Sequence, residues 1–122
     1  MMQENSLSQN TALGSEEALA LISDKWTIRV MHALLQGNSR YGAIKRAIPD
    51  VTKKMLTQRL RAMERDGLAE RFDFSKAVPH VEYTLTPLGE SLAQHVATLC
   101  RWFDEHLEEI TKARKNYDAT GR

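Results

Sequence analysis

The sequence predicts a mainly α-helical fold carrying one small β-hairpin, and three observations predict it. Apolar residues recur at intervals of three and four through most of the chain. Two short runs rich in β-branched and aromatic residues, 68–72 and 81–85, interrupt that rhythm. Gly37, Pro49, Gly67 and Pro87 fall where one pattern gives way to the next. At 122 residues the chain suits one domain that removes roughly two thirds of its unfolded surface from water. Apolar residues at 42% and charged residues at 27% match a globular protein and exclude a disordered or collagen-like chain.

Residues 1–14 show no firm periodicity and read as a flexible arm or a short docking helix. Ser15 can cap a helix that opens with Glu16 and Glu17, acids suited to the positive end of a helix dipole, and carries Ala18, Leu19, Leu21 and Ile22. Ser23 and Asp24 offer a second cap before Trp26, Val30, Ala33 and Leu34, a helix that Gly37 ends. Trp26 at the start of that apolar helix is taken as core. A short amphipathic helix at 40–47 sets Tyr41, Ile44 and Ile48 against Lys45 and Arg46, and Pro49 with Asp50 breaks it. From Thr52 a further helix buries Leu56, Leu60 and Met63, shows Lys53, Lys54, Thr57, Gln58 and Arg61, and stops at Gly67.

Two helices joined by the tight turn Ile48-Pro49-Asp50-Val51 make a helix-turn-helix candidate, with a plain helical hairpin as the alternative. The hairpin that follows, with Ser75, Lys76 and Pro79 in its 73–80 loop, gives the element order of a winged helix. Thr86-Pro87 starts a helix with apolar positions Leu92, Val96, Leu99, Phe103, Leu107 and Ile110, broadened by Cys100 and Trp102. About 24 residues of helix extend roughly 36 Å, further than the preceding domain covers. The uncovered part calls for a second copy of the chain, or for folding back on the Ser15 helix. The organisation is thus a winged helix-turn-helix domain at 15–86, a C-terminal dimerisation helix at 87–110, and a tail at 111–122 that, without an apolar stripe, is expected to fray.

The net charge of +1 hides an asymmetry. Residues 40–65 hold eight bases against two acids, whereas 86–110 holds five acids against one base. One segment is therefore the candidate polyanion-binding face. No apolar run is long enough to span a bilayer. The first 25 residues, with Lys25 as their single base, do not form a secretory signal, so the chain is expected to stay in the cytosol. One cysteine, Cys100, forms neither an internal disulfide nor a paired-cysteine zinc site, and no cofactor is expected. His32, His80, His95 and His106 are scattered, and the glycines build no phosphate loop, so an enzyme is disfavoured. His106 beside Glu105 and Glu109 reads as a solvated helix face rather than a metal site.

Five blocks carry a family resemblance: Ile22-Ser23-Asp24-Lys25-Trp26, Arg40-Tyr41-Gly42, Lys54-Met55-Leu56-Thr57-Gln58-Arg59-Leu60, Asp66-Gly67-Leu68 and Val81-Glu82-Tyr83-Thr84-Leu85-Thr86. Over about residues 15–107 the chain resembles the HxlR-type transcriptional regulators, distant kin of the MarR-like regulators. The resemblance implies a dimeric bacterial winged helix-turn-helix protein that binds operator DNA and regulates nearby transcription. Two departures stand out. Members that sense oxidants often carry a cysteine just before the first domain helix, where this chain reads Ala12-Leu13-Gly14-Ser15. The residue before Val81 is often arginine and here is His80.

On this reading a recognition helix at about 52–66 enters the major groove, and two-fold pairing implies an inverted-repeat operator with grooves roughly 34 Å apart. Thr52, Lys53, Lys54, Thr57, Gln58 and Arg61 are the expected contacts. Gln58 suits an adenine edge, Arg61 or Lys54 a guanine, and Thr57 a thymine methyl or a phosphate. Arg40, Lys45, Arg46, Arg59 and Lys76 read as phosphate neighbours, with His80 beside them on the wing. Leu92, Val96, Leu99, Phe103 and Leu107 form the expected dimer interface. Cys100 in that strip reads as buried packing, with a redox or electrophile switch as the other possibility. A cavity between the dimer helices and the Trp26 helix, lined by Trp26, Trp102 and Phe103, is a candidate effector site, although the same residues suit solid core. The rival function is a winged-helix module for protein contacts, against which the local excess of six charges argues.

Overall fold

Side-chain caps fix where three of the helices begin. Asp24 accepts the Trp26 N–H at 3.0 Å, Thr52 the Met55 N–H at 3.1 Å, and Thr86 the Gly89 N–H at 3.0 Å; each satisfies a donor that the first turn leaves unpaired. The structure is a computed structural model in which residues 16–121 are described, so the arm at 1–14 and the Ser15 cap lie outside the described residues. The elements are α1 (Glu16–Ser23), α2 (Lys25–Leu35), α3 (Tyr41–Ala47), α4 (Lys53–Arg65), β1 (Ala69–Asp73), β2 (Val81–Leu85), α5 (Pro87–Glu105) and α6 (Leu107–Ala119). The fold is mainly helical with one two-stranded antiparallel hairpin.

Glycine ends α2 and α4 in the same way. Gly37 (φ 98) and Gly67 (φ 76) adopt the left-handed conformation, which lets the next residue turn its N–H back onto the helix. Asn38 donates to the Ala33 carbonyl at 3.1 Å and Leu68 to the Met63 carbonyl at 2.8 Å. Because Leu68 is spent on closing α4, the first strand starts one residue later than the side-chain pattern alone suggests. It pairs from Ala69↔Leu85 to Asp73↔Val81. Residue 40 extends the sheet through a single bridge, Arg40↔Glu82, beside the Tyr83 N–H to Ser39 carbonyl bond of 2.8 Å.

The core joins Val30, Met31, Ala33 and Leu34 of α2 to Ile44 of α3, Ile48 and Val51 of the turn, Leu56, Leu60 and Met63 of α4, and Ala93 of α5. Trp26, expected in the core, is half-buried at its edge, with the Lys25 ammonium 4.8 Å and the Arg29 guanidinium 5.2 Å from its ring centre.

The long C-terminal helix expected at 87–110 is interrupted. His106 (φ −110, ψ 7) separates α5 from α6, and its ring Nδ1 donates to the Trp102 carbonyl at 2.7 Å. Beyond it the chain does not fray: α6 continues to Ala119. The absence of an apolar stripe was the wrong criterion for this segment. Glu108 and Glu109 in its first turn complement the helix dipole, and most of its residues are good helix formers.

The start of α5 is sealed to the end of α4. The Thr86 hydroxyl donates to the Gly67 carbonyl at 2.6 Å and the Thr86 N–H to the Leu68 carbonyl at 3.0 Å. Gly89 packs so closely that a Cβ there would overlap the Leu68 carbonyl oxygen and crowd Leu85 at 3.1 Å. Gly89→Ala is therefore expected to destabilise the protein by about 3 kcal/mol, the upper end of overpacking costs, measured as a lowered urea midpoint with unchanged m-value.

Candidate nucleic-acid interface

A helix that buries one face shows the other. In α4 the buried stripe Leu56, Leu60 and Met63 is at most 1% exposed, and a turn of about 100° per residue places Lys54, Gln58 and Arg61 on the opposite side. All three are exposed, as are Thr52 and Lys53 at the helix start. Among the described residues no carboxylate pairs with Lys53, Lys54 or Arg61. Two amines, a guanidinium and a carboxamide thus stand in solvent on one rigid helix, donors suited to phosphate oxygens and base edges.

Two residues expected on this face are used internally. Thr57 is half-buried, its Oγ1 3.3 Å from the Tyr41 hydroxyl, which lies 3.1 Å from the Lys53 carbonyl. The carbonyl can only accept, so Tyr41 donates to it and Thr57 donates to Tyr41, locking α3 to α4. Arg59, expected beside a phosphate, is drawn inward: its Nε lies 2.8 Å from Oδ2 of Asp24, with both side chains about three quarters covered. Asp24 thereby caps α2, takes the Thr27 hydroxyl at 3.2 Å, and ties α2 to α4. Burial alone would raise its pKa, but the Trp26 N–H, the Arg59 guanidinium and the Thr27 hydroxyl together outweigh it and hold the carboxyl below the usual range.

A second tie anchors the turn: Arg29 reaches Asp50 at 3.0 Å, and its hydrogen bond draws that carboxyl down as well. Neither ion pair was visible in the sequence, because the partners lie 35 and 21 residues apart. Of the remaining expected cations, Arg40, Arg46 and Lys76 are exposed and Lys45 is half-buried. His80 departs from expectation. Its Nε2 lies 2.6 Å from Glu82 Oε2 and its ring 5.3 Å from that of Phe74, so it braces the hairpin.

The expected dimer strip divides in two. Leu92 and Val96 pack half-buried against the chain's own core, whereas Leu99, Phe103 and Leu107 are exposed together with Trp102. On α1, Leu19 and Ile22 are exposed as well. A cavity of about 410 Å³ does lie between α2 and α5. Its walls include Ile28, Met31, Leu35, Ile48, Val96 and Cys100, and not Trp26, Trp102 or Phe103 as expected. Cys100 is exposed rather than buried. Among the described residues no group of three His, Cys, Asp or Glu side chains is placed to hold a metal ion, and no helix is long and apolar enough to cross a membrane.

Comparison with known proteins agrees with this geometry. A family model described as HxlR-like helix-turn-helix matches residues 21–111. The HTH-type transcriptional regulator YtfH of Escherichia coli (strain K12) is 37% identical over 121 residues, covering 93% of this chain and 96% of its own. A solved structure of a transcriptional regulator, YtfH from Salmonella typhimurium, superposes with a TM-score of 0.72 at 36% identity, covering 81% of this chain and 88% of its own. A MarR-family transcriptional regulator from Enterococcus faecalis V583 gives a TM-score of 0.68 at 37% identity, covering 84% and 98%.

The Asp24–Arg59 tie sets two outcomes. A carboxylate whose pKa is depressed by folding stabilises above its unfolded pKa, about 4, and loses that contribution as pH falls through the folded value. Asp24→Asn should therefore flatten the acid limb of the stability profile below about pH 4. Arg59→Ala should cost about 1 kcal/mol at neutral pH, read from urea unfolding, while leaving the salt dependence of duplex binding unchanged.

Proposed function

The chain belongs to the HxlR-like helix-turn-helix family of transcriptional regulators, and from that premise we propose that it acts in the cytoplasm as a homodimer on an inverted-repeat DNA operator. The observation that carries this reading is the outer face of α4, where Lys53, Lys54, Gln58 and Arg61 stand exposed on a helix whose other face is fully buried. In the major groove Gln58 suits an adenine edge, Arg61 or Lys54 a guanine, and the others phosphate oxygens. Arg40, Lys45, Arg46 and Lys76 add phosphate contacts beside it.

Pairing is supported by Leu99, Trp102, Phe103 and Leu107, too much apolar surface on consecutive turns to leave in water. Two copies joined through this strip present two α4 helices to successive grooves, which is why the operator repeats with inversion. A small-molecule effector would fit the cavity between α2 and α5, since anything that spreads those helices also moves Asp24 and, through Arg59, α4.

Anisotropy titration against duplexes at several salt concentrations tests DNA binding. With about four phosphates neutralised per subunit, log affinity should fall with log salt at a slope of about −7; a flat response overturns the reading. Arg61→Ala should relax preference at one operator position by about 1–3 kcal/mol if it reads a base, whereas a uniform loss over all sequences assigns it to phosphate. Phe103→Glu should turn a dimer into a folded monomer in sedimentation and weaken duplex binding with it. A wild-type chain that sediments as a monomer at micromolar concentration would refute the homodimer.

A further inference from the structure

Two hydrogen bonds decide what one side chain of α4 has left to offer. Thr57 branches at Cβ into a hydroxyl and a methyl group. Lys54 and Arg61, three residues before it and four after, are its neighbours on the helix surface, and both are exposed. Thr57 itself is half-buried, so part of it shares their side.

Its hydroxyl is already engaged. The Tyr41 hydroxyl lies 3.1 Å from the Lys53 carbonyl, an atom that can only accept, and the tyrosine proton goes there. Thr57 Oγ1 lies 3.3 Å from the same Tyr41 oxygen and therefore supplies the proton of the second bond. Each hydroxyl has a single proton, and both are used. Phosphate oxygens, thymine O4, guanine O6 and purine N7 are all acceptors, so none of them can bond a Thr57 that gives its proton to Tyr41. An adenine or cytosine amino group needs an acceptor, but Oγ1 is turned inward to Tyr41. Of the two contacts expected of this threonine, a phosphate or a thymine methyl, only the second survives.

We propose that Tyr41 is a positioning residue that holds the Thr57 hydroxyl away from the duplex, so that Thr57 meets the major groove with its methyl group and reads the 5-methyl of a thymine. The proposal rests on the DNA-binding function given above. Methyl laid against methyl takes apolar surface of both out of water, and a base without its methyl forfeits that gain. A hydroxyl released from Tyr41 is free to turn outward and bond a base edge or a phosphate oxygen, so selectivity falls while binding persists. Tyr41 stands on α3 and acts through the bond, with no contact of its own to DNA required.

Deoxyuridine isolates the effect, because it pairs as thymine does and lacks only the 5-methyl. The full chain is titrated by anisotropy against a duplex that it selects from a random-sequence pool, with each thymine replaced in turn by deoxyuridine. Wild type should bind about fivefold more weakly when the thymine under Thr57 is replaced, the worth of one buried methyl contact. Thr57→Ser, which keeps the hydroxyl and drops the methyl, should bind the two duplexes alike. Thr57→Val, which keeps a methyl and drops the hydroxyl, should retain the full ratio. Tyr41→Phe should shrink the ratio to about twofold or less, and adding Thr57→Val to it should restore the ratio, because valine has no hydroxyl to turn outward. The ratio is internal to each variant, so a general loss of stability or affinity does not move it. The proposal fails if no thymine is sensitive in wild type, if Thr57→Ser keeps the ratio, if Thr57→Val loses it, if Tyr41→Phe leaves it intact, or if the double variant does not restore it. Absence of saturable binding to any duplex would instead remove the DNA-binding reading itself, and this proposal with it.

Discussion

Leu56, Leu60 and Met63 leave almost no surface in water, and their burial decides more than stability. Each fully buried side chain of this size contributes about 1.5–3 kcal/mol, enough that no rotation of α4 about its axis is tolerable. The direction in which Lys54, Gln58 and Arg61 point is therefore fixed by the residues on the other side of the helix. Chemistry on the outer face can vary without disturbing the fold, because it contributes nothing to the core. A scaffold of this kind supports many sequence preferences on one architecture.

Burial fixes rotation but not the position of the helix along its own axis. That is the work of the polar ties: Tyr41 with Thr57 and the Lys53 carbonyl across to α3, and Arg59 to Asp24 across to α2. Partly exposed ties of this kind add little to stability singly. Their value is geometric, since each is short, directional and bound to a different neighbour.

Much of this was legible in the residues. The stripe in α4, the caps at Asp24, Thr52 and Thr86, and the two glycine stops all follow from local patterns that any short window contains. The five motif blocks identified the family before any geometry was known. What the chain order hid was pairing at a distance. Arg59 looked like one more cation on a cationic helix, and only the fold brings Asp24 to it. Thr57 has an internal partner hidden in the same way, Tyr41 lying 16 residues before it, whereas Glu82 stands only two residues from His80 and needed side-chain geometry to reveal the pair. The break at His106 was hidden differently: the apolar spacing runs through it undisturbed, and the ring nitrogen that competes for the Trp102 carbonyl has no signature in periodicity. The cavity between α2 and α5 was anticipated in place but not in lining, because a void is a property of how two helices diverge.

The seam at Thr86 and Gly89 joins α5 to the end of α4 with two hydrogen bonds and a backbone contact that admits no Cβ. Such a weld behaves as the fixed jaw of a calliper. If two copies clasp through α5, the gap between their outer helices becomes a gauge length set by the angle of the clasp, with no slack at the joint. A ruler built this way measures the distance between half-sites, and any small tilt of the clasp is magnified by the length of the arm into a mismatch with the pitch of the duplex.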